Sequence, residues 1–187
     1  MWSLWPAPGT ARRGGAKVAT LFIGDSLIAY YDWQARFPER HCVNLGLPGD
    51  SVAGCLARLP GIIRRQPRAE QVVLMIGTNN MVNSDYAFVG LYERLLNQLH
   101  HAYAGAVIGV CSLLPLQLPW LASDTADRLN DYVKALAKQD WAVYLDICAS
   151  FQAAETSSCF LDDGVHLSDE GYRRWSAVLA DRLALLG

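Results

Sequence analysis

The chain has 187 residues, of which 52% are hydrophobic, with a formal net charge of −2 and a pI near 6.0. Its length favours one domain with a sizeable core. The sixteen Lys and Arg residues are scattered, which excludes the basic surface of a nucleic-acid binder, and no apolar run approaches transmembrane length. The pairs Arg12-Arg13, Arg64-Arg65 and Arg173-Arg174 are the only small basic clusters, and solvated helix or tail positions explain them better than a binding stripe does.

In chain order, residues 1–16 carry Trp, Pro, Gly and Arg but no apolar h-region, so an irregular tail is expected there rather than a signal peptide. Residues 17–187 are expected to form a single domain, in a cytoplasmic protein with no stable membrane insertion. The apolar runs 18–23, 41–45, 71–76, 106–112 and 142–147 read as five strands. Most are continuously apolar, as parallel strands buried on both faces are. Between them, residues 51–65, 84–103, 123–138 and 168–186 read as helices. Leu91, Leu95, Leu96 and Leu99 give the second of these an apolar face, and Ser84, Ser123 and Ser168 are the expected N-caps. Strand–helix alternation predicts an α/β fold, a three-layer α/β/α sandwich around a parallel sheet with right-handed crossovers.

Ligands of open α/β sheets bind beyond the carboxyl ends of the strands. Ser26 follows the first strand, Gly49 the second and Asn79 the third, and His166 lies in the loop after the fifth. In a parallel sheet all four project from one edge. Chemistry supports that grouping. A serine hydroxyl needs a base to become a nucleophile. A histidine can be that base, and a carboxylate can fix its tautomer. Asp163, three residues before His166 with Gly164 between, can fold back onto the imidazole. Ser26, His166 and Asp163 therefore offer a nucleophile, a base and an orienter. An oxyanion formed at Ser26 would find donors in the Ser26 and Gly49 N–H groups and the Asn79 amide.

Gly24-Asp25-Ser26-Leu27, Asn44 to Gly49, Gly77-Thr78-Asn79-Asn80 and Asp163 to His166 together resemble the four ordered blocks of the GDSL/SGNH hydrolases. The resemblance spans roughly residues 18 to 172. It implies a flavodoxin-like sheet of order 2-1-3-4-5, a catalytic Ser26, His166 and Asp163, and an oxyanion hole of Ser26, Gly49 and Asn79. It also implies a serine esterase acting on small or medium acyl esters. Many members have Asp where this chain has Asn80; a branch resembling the platelet-activating-factor acetylhydrolases has Asn. Lysophospholipase, thioesterase and carbohydrate O-deacetylase are alternatives within the family. A non-catalytic binding domain on the same fold is the alternative from another class.

Competing readings stand beside these. Ser26 can be a helix N-cap, Gly49 a turn glycine and Asn79 a turn cap. Asp163 and His166 can be an exposed polar loop, with Asp162 the rival carboxylate. Asp25 reads as turn-shaping and Asn44 as a tie between loops. Tyr30, Leu118 and Trp120 are candidates for the substrate pocket. For Tyr30 helix packing competes, and for the apolar stretch 113–121 a dimer contact or a packed Ω-loop. A homodimer is one candidate oligomeric state. Five cysteines without a Cys-x-x-Cys read as free thiols, and Cys42, Cys111 and Cys148 as small buried ones. No metal-ligand spacing, P-loop or Gly-x-Gly-x-x-Gly occurs, so neither cofactor nor metal is expected, and the partner is a small-molecule ester.

Overall fold

Strand β1 (Thr20–Gly24) is buried along its whole length and lies inside the sheet, with a strand on either side. The computed structural model describes residues 19–152 and 156–185; the expected tail, 1–16, and Val18 of the expected first strand lie outside the described residues. Around β1 run β2 (Cys42–Gly46), β3 (Gln71–Met75), β4 (Val107–Cys111) and β5 (Ala142–Leu145), all parallel, in the order β2-β1-β3-β4-β5. Leu21, Ile23, Val72, Leu74, Ile108 and Val110 face one layer; Phe22, Val73 and Met75 face the other. This is the period-2 alternation of a pleated strand, with apolar residues at both phases because both faces are covered.

Helices α3 (Val52–Arg65), α5 (Val89–Ala102) and α6 (Thr125–Leu136) cover the first face with Leu59, Ile62, Leu95, Leu99, Leu129 and Val133. The second is covered by α1 (Ser26–Ala29), α2 (Trp33–Arg36), α7 (Ile147–Gln152) and α8 (Asp169–Leu185). A short helix, α4 (Thr78–Val82), follows β3, and a 3₁₀ turn spans Thr156–Cys159. On the second face Trp33 stacks on Phe22, ring centroids 4.5 Å apart, and meets Trp175 of α8 edge-on at 5.0 Å. Such pairs contribute about 0.5–1.5 kcal/mol each beyond area burial. Tyr172 Oη donates to the Leu27 carbonyl at 3.0 Å. The last helix is thus tied to the turn that carries Ser26.

The structure departs from the sequence reading at several boundaries. The second long helix starts at Val89 and not at 84; Ser84 caps nothing and has φ of 55°. The Asp85 carboxylate accepts from Asn80 Nδ2 and the Ala87 N–H, so residues ahead of the helix are committed to a loop. Ser123 is not a cap either, since α6 begins after Asp124. Ser168 is one: its Oγ accepts from Gly171 N–H at 3.2 Å. The fifth strand stops at Leu145 because Asp146 Oδ1 takes the Ala149 N–H and starts α7. Helices α1, α2 and α4 went unread because four or five residues are too few to show a 3.6 period. All five cysteines are free; Cys111 and Cys148 are buried as expected, whereas Cys42, on edge strand β2, is only half-buried.

These caps make a stability prediction. Ser168→Ala should destabilise the protein by about 1 kcal/mol through loss of the cap. Ser84→Gly should be neutral or stabilise by up to about 1 kcal/mol, because glycine tolerates positive φ. Urea unfolding of both variants checks this; a destabilised Ser84→Gly would mean that its hydroxyl holds the loop.

Candidate active site

The site starts where β1 ends. Asp25 is the N-cap of α1, and its Oδ1 accepts from Leu27 N–H at 3.0 Å. The capping role considered for Ser26 thus falls to its neighbour, and Ser26 is the first helical residue. Its hydroxyl accordingly has no capping duty and points to a different partner. Asp25 is fully buried, and burial pushes its carboxyl up to about 6 against the pull of the Leu27 N–H and of Thr78 beside it, with Asp50 adding to the rise.

That partner of Ser26 comes from the far end of the chain. His166 Nε2 lies 3.0 Å from Ser26 Oγ, and His166 Nδ1 lies 2.6 Å from Asp163 Oδ2. A proton on Nδ1, donated to Asp163, leaves Nε2 as the acceptor and satisfies both contacts. The loop is built for this geometry. Phe160 pairs with Leu167 in an antiparallel bridge, and Leu161 N–H donates to the His166 carbonyl at 2.8 Å. The turn between them closes through Gly164 N–H to Leu161 O at 2.9 Å. Gly164 has φ of 69°, and a Cβ there would stand 2.4 Å from the Gln117 carbonyl oxygen. Only glycine fits on both counts. Asp163 Oδ1 accepts from the N–H groups of Val165 and His166, each at 2.9 Å, which aims Oδ2 at the imidazole. Slight burial works against ionisation of Asp163, but His166 and these two N–H groups outweigh it and bring the carboxyl down to about 2. Asp162 is exposed in the same turn.

The expected oxyanion donors lie on two neighbouring loops. Leu47, Pro48, Gly49 and Asp50 form a turn closed by Asp50 N–H to Leu47 O at 3.1 Å, with Gly49 at φ 77°. Pro then Gly at the centre is the type II arrangement, which needs positive φ at its third residue. No atom outside its chain neighbours stands within 4 Å of where a Gly49 Cβ would be, so backbone conformation, not crowding, calls for this glycine. Asn79, in the first turn of α4, donates one amide hydrogen to the Asp50 carbonyl at 2.8 Å. The second is available to another acceptor. Asn80 is buried and does something else: Oδ1 accepts from Val52 N–H at 3.0 Å and Nδ2 donates to Asp85 at 2.7 Å. Asn44 ties loops, its Nδ2 reaching the carbonyls of Ile28, Ala29 and Tyr31.

Two residues here escaped the sequence reading. Asp50 is buried, and Arg58 of α3 donates to its Oδ2 at 2.6 Å. Arg58 also donates to the carbonyls of Leu45 and Gly24, both at 2.9 Å. The available signal was an Asp and an Arg eight positions apart on either side of a helix start, a spacing too common to single out.

Of the three pocket candidates, Tyr30 is 60% exposed and its ring centre lies 5.5 Å from that of His166. Trp120 is 66% exposed. Leu118 is buried, as are Leu113 and Leu114, so part of the apolar stretch after β4 is packed inside, whereas Gln117, Pro119 and Trp120 are exposed. Leu113 is held by paired backbone bonds to the Asn130 amide, and Gln117 N–H donates to the Gly164 carbonyl. Among the described residues, no group of three or more His, Cys, Asp or Glu is arranged to hold a metal ion, and no helix is long and apolar enough to cross a membrane.

A parallel 2-1-3-4-5 sheet with a hydrogen-bonded Ser–His–Asp chain at its carboxyl edge is a frame found in hydrolases. The model of the GDSL-like lipase/acylhydrolase family matches residues 22–174, and the chain belongs to that family. It is 31% identical over 160 residues to platelet-activating factor acetylhydrolase IB subunit alpha1 of Bos taurus, covering 81% of this chain and 69% of that one. A lipase/acylhydrolase from Enterococcus faecalis superposes with a TM-score of 0.75 at 17% identity, over 89% of this chain and 95% of that one. An acetylxylan esterase from Geobacillus stearothermophilus superposes with a TM-score of 0.70 at 21% identity, over 89% and 94%. The fold is theirs, and the family makes this chain an ester-bond hydrolase.

The buried Asp25 yields a pH prediction. Its folded pKa lies above the unfolded value of 3.8, so its contribution favours folding below about pH 4 and is lost as pH rises through about 6. Asn keeps the capping acceptor and removes the charge. The unfolding free energy of Asp25→Asn, relative to the parent protein, should therefore rise by up to about 3 kcal/mol from pH 4 to pH 7, at about 1.4 kcal/mol per pKa unit. Urea titrations at both pH values measure it; a flat difference would refute the buried charge.

Proposed function

We propose that this enzyme is a serine esterase that hydrolyses carboxylic esters of small or medium acyl groups through an acyl-enzyme on Ser26. Ser26 Oγ attacks the carbonyl carbon while its proton passes to His166 Nε2. The resulting imidazolium is stabilised by Asp163. The tetrahedral oxyanion takes hydrogen bonds from the N–H groups of Ser26 and Gly49 and from the free amide hydrogen of Asn79. Collapse breaks the C–O bond to the leaving alkoxide, which takes the proton back from His166. Water then attacks the acyl-enzyme by the same route, and carboxylic acid leaves. Tyr30, beside His166, and Trp120 are offered as contacts for the parts of the ester outside the reacting bond. The reading rests above all on the 3.0 Å and 2.6 Å contacts that join Ser26 to Asp163 through His166. The acetylhydrolases among the relatives favour the short end of the acyl range.

Ser26→Ala should abolish hydrolysis of short-chain nitrophenyl esters, and labelling by a fluorophosphonate, in a protein that melts like its parent. Turnover that survives this change would reject the mechanism, and a fully inert parent protein would favour a binding domain.

Asn79 and Asn80 should separate chemistry from stability. Asn79→Ala should lower kcat by about 10²–10³-fold with KM little changed. Asn80→Ala should mainly destabilise, by about 1–3 kcal/mol, because it strands the Val52 N–H. Steady-state kinetics and urea unfolding of both decide, and the reverse pattern would shift the donor by one residue.

Asp163, held at about 2, is ionised above about pH 4 and its stabilising effect is lost only as pH falls below that. Asp163→Asn should cut kcat by up to about 10⁴-fold, through the wrong imidazole tautomer, whereas Asp162→Asn should do little. A crippled Asp162→Asn variant would reassign the carboxylate.

A further inference from the structure

The oxyanion donors proposed above sit on separate segments, and nothing in the strand pairing alone fixes their mutual position. Gly49 is on the β2–α3 turn, Asn79 on α4, and Ser26 on the β1–α1 turn. Strand pairing ends at Gly24 and Gly46, which are partners in register. The Gly24 carbonyl there accepts from the Leu47 N–H at 2.9 Å, and a carbonyl oxygen has a second lone pair for a further donor.

One side chain adds further donors at these strand ends. The Arg58 guanidinium donates through Nη2 to Gly24 O, through Nη1 to Leu45 O and through Nε to Asp50 Oδ2, at 2.9, 2.9 and 2.6 Å. A planar fork can reach three acceptors at once; an ammonium on a flexible stem cannot hold the same geometry. Gly24 lies two residues before Ser26, and Asp50 directly follows Gly49. The Asp50 side chain has little room to move. It is buried, and Gly54 leaves it just enough space, since a Cβ there would stand 2.2 Å from Oδ1. The Asp50 carbonyl in turn accepts the Asn79 amide at 2.8 Å. Hydrogen bonds therefore link Arg58 through Asp50 to Asn79, and Gly49 is the residue bonded covalently to Asp50 on its N-terminal side.

We propose that Arg58 is a positioning residue, which holds the Gly49 N–H and the Asn79 amide in place around Ser26 by binding Asp50 and the last carbonyls of β1 and β2 together. The inference rests on the oxyanion-hole reading of the site. Arg58 does not touch substrate. Its effect reaches the reaction through donors that must lie within hydrogen-bonding range of an oxygen bearing charge only in the transition state. Displacement of catalytic groups by about 1 Å can cost about 10²-fold in rate, so loss of Arg58 should appear in kcat and leave KM nearly unchanged. The His166–Asp163 pair is held by its own loop, so the acid limb of the pH profile should not move.

The experiment compares Arg58→Lys, Arg58→Met and Asp50→Asn with the parent protein, using kcat, KM, the pH dependence of kcat/KM and thermal unfolding. Arg58→Lys keeps a cation for Asp50 but lacks the fork, and serves if Arg58→Met does not fold. The expected result is a folded Arg58→Lys with kcat about 10–10²-fold lower, KM within about threefold and an unmoved acid limb. In an Asn79→Ala background the same substitution should cost several-fold less, because one of the donors it positions is already gone. Parent-like kcat in a folded Arg58→Lys would overturn the inference while leaving the esterase reading intact, and so would a loss fully additive with Asn79→Ala or confined to KM. A parent protein without Ser26-dependent turnover would remove the esterase reading and this inference with it.

Discussion

Parallel strand pairing is the constraint on which the rest of this molecule depends. Five strands running one way place five carboxyl ends at one edge, and the loops leaving that edge are the only places where Ser26, Gly49, Asn79 and His166 can meet. Parallel pairing requires crossovers, and helices cover both faces. That is why β1 and β3 are buried at every position and why their sequences run apolar without a polar phase. The fold and the site share one cause: the topology that buries the sheet also gathers residues 140 positions apart, whose hydroxyl and imidazole are 3.0 Å apart.

The edge that holds Ser26 gathers several buried polar groups. Asp25, Ser26, Asp50, Thr78 and Asn80 are all buried there. A buried polar group costs free energy unless it is hydrogen-bonded, and most of these are bonded across loops rather than within them. Asn80 caps a helix on another loop, Arg58 joins two strand ends to Asp50, and Asn44 donates to three carbonyls. Asp25 is the exception, with one oxygen lacking a hydrogen-bond partner, and burial raises its pKa accordingly. The network leaves little slack around Ser26, consistent with a site in which preorganised dipoles do most of the stabilising.

The acid loop is a separate construction. It is closed on itself by the Phe160–Leu167 bridge, the Gly164 turn and the two N–H bonds to Asp163. It reaches the first loop through His166, and is held against it by α8, whose Tyr172 and Trp175 pack on α1 and α2. His166 and Ser26 are thus positioned by different means, one by local turn geometry and the other by the end of a buried strand.

Local chemistry was readable from the order of residues alone. Continuous apolar runs marked the five strands to within two residues at each end. Asp-Gly-x-His spacing is short enough for a turn to close on itself; in this chain it is Asp163, Gly164 and His166, whose contacts are local. The pairing of the Gly24–Leu27 block with that loop followed from the resemblance and from the rule that ligands gather beyond parallel strand ends. What sequence order could not decide depends on long-range contacts. Ser84 resembled a cap until Asp85 was seen to bind Asn80, and residue 147 resembled strand until Asp146 was seen to start a helix. Leu118 read as a pocket candidate, but its side chain is buried between exposed neighbours. Arg58 is one of sixteen basic residues, and nothing nearby in the chain distinguishes it. Its role exists only because β1, β2 and the turn at Asp50 come together at its guanidinium, and the strength of such contacts is set by tertiary geometry, which no local pattern records.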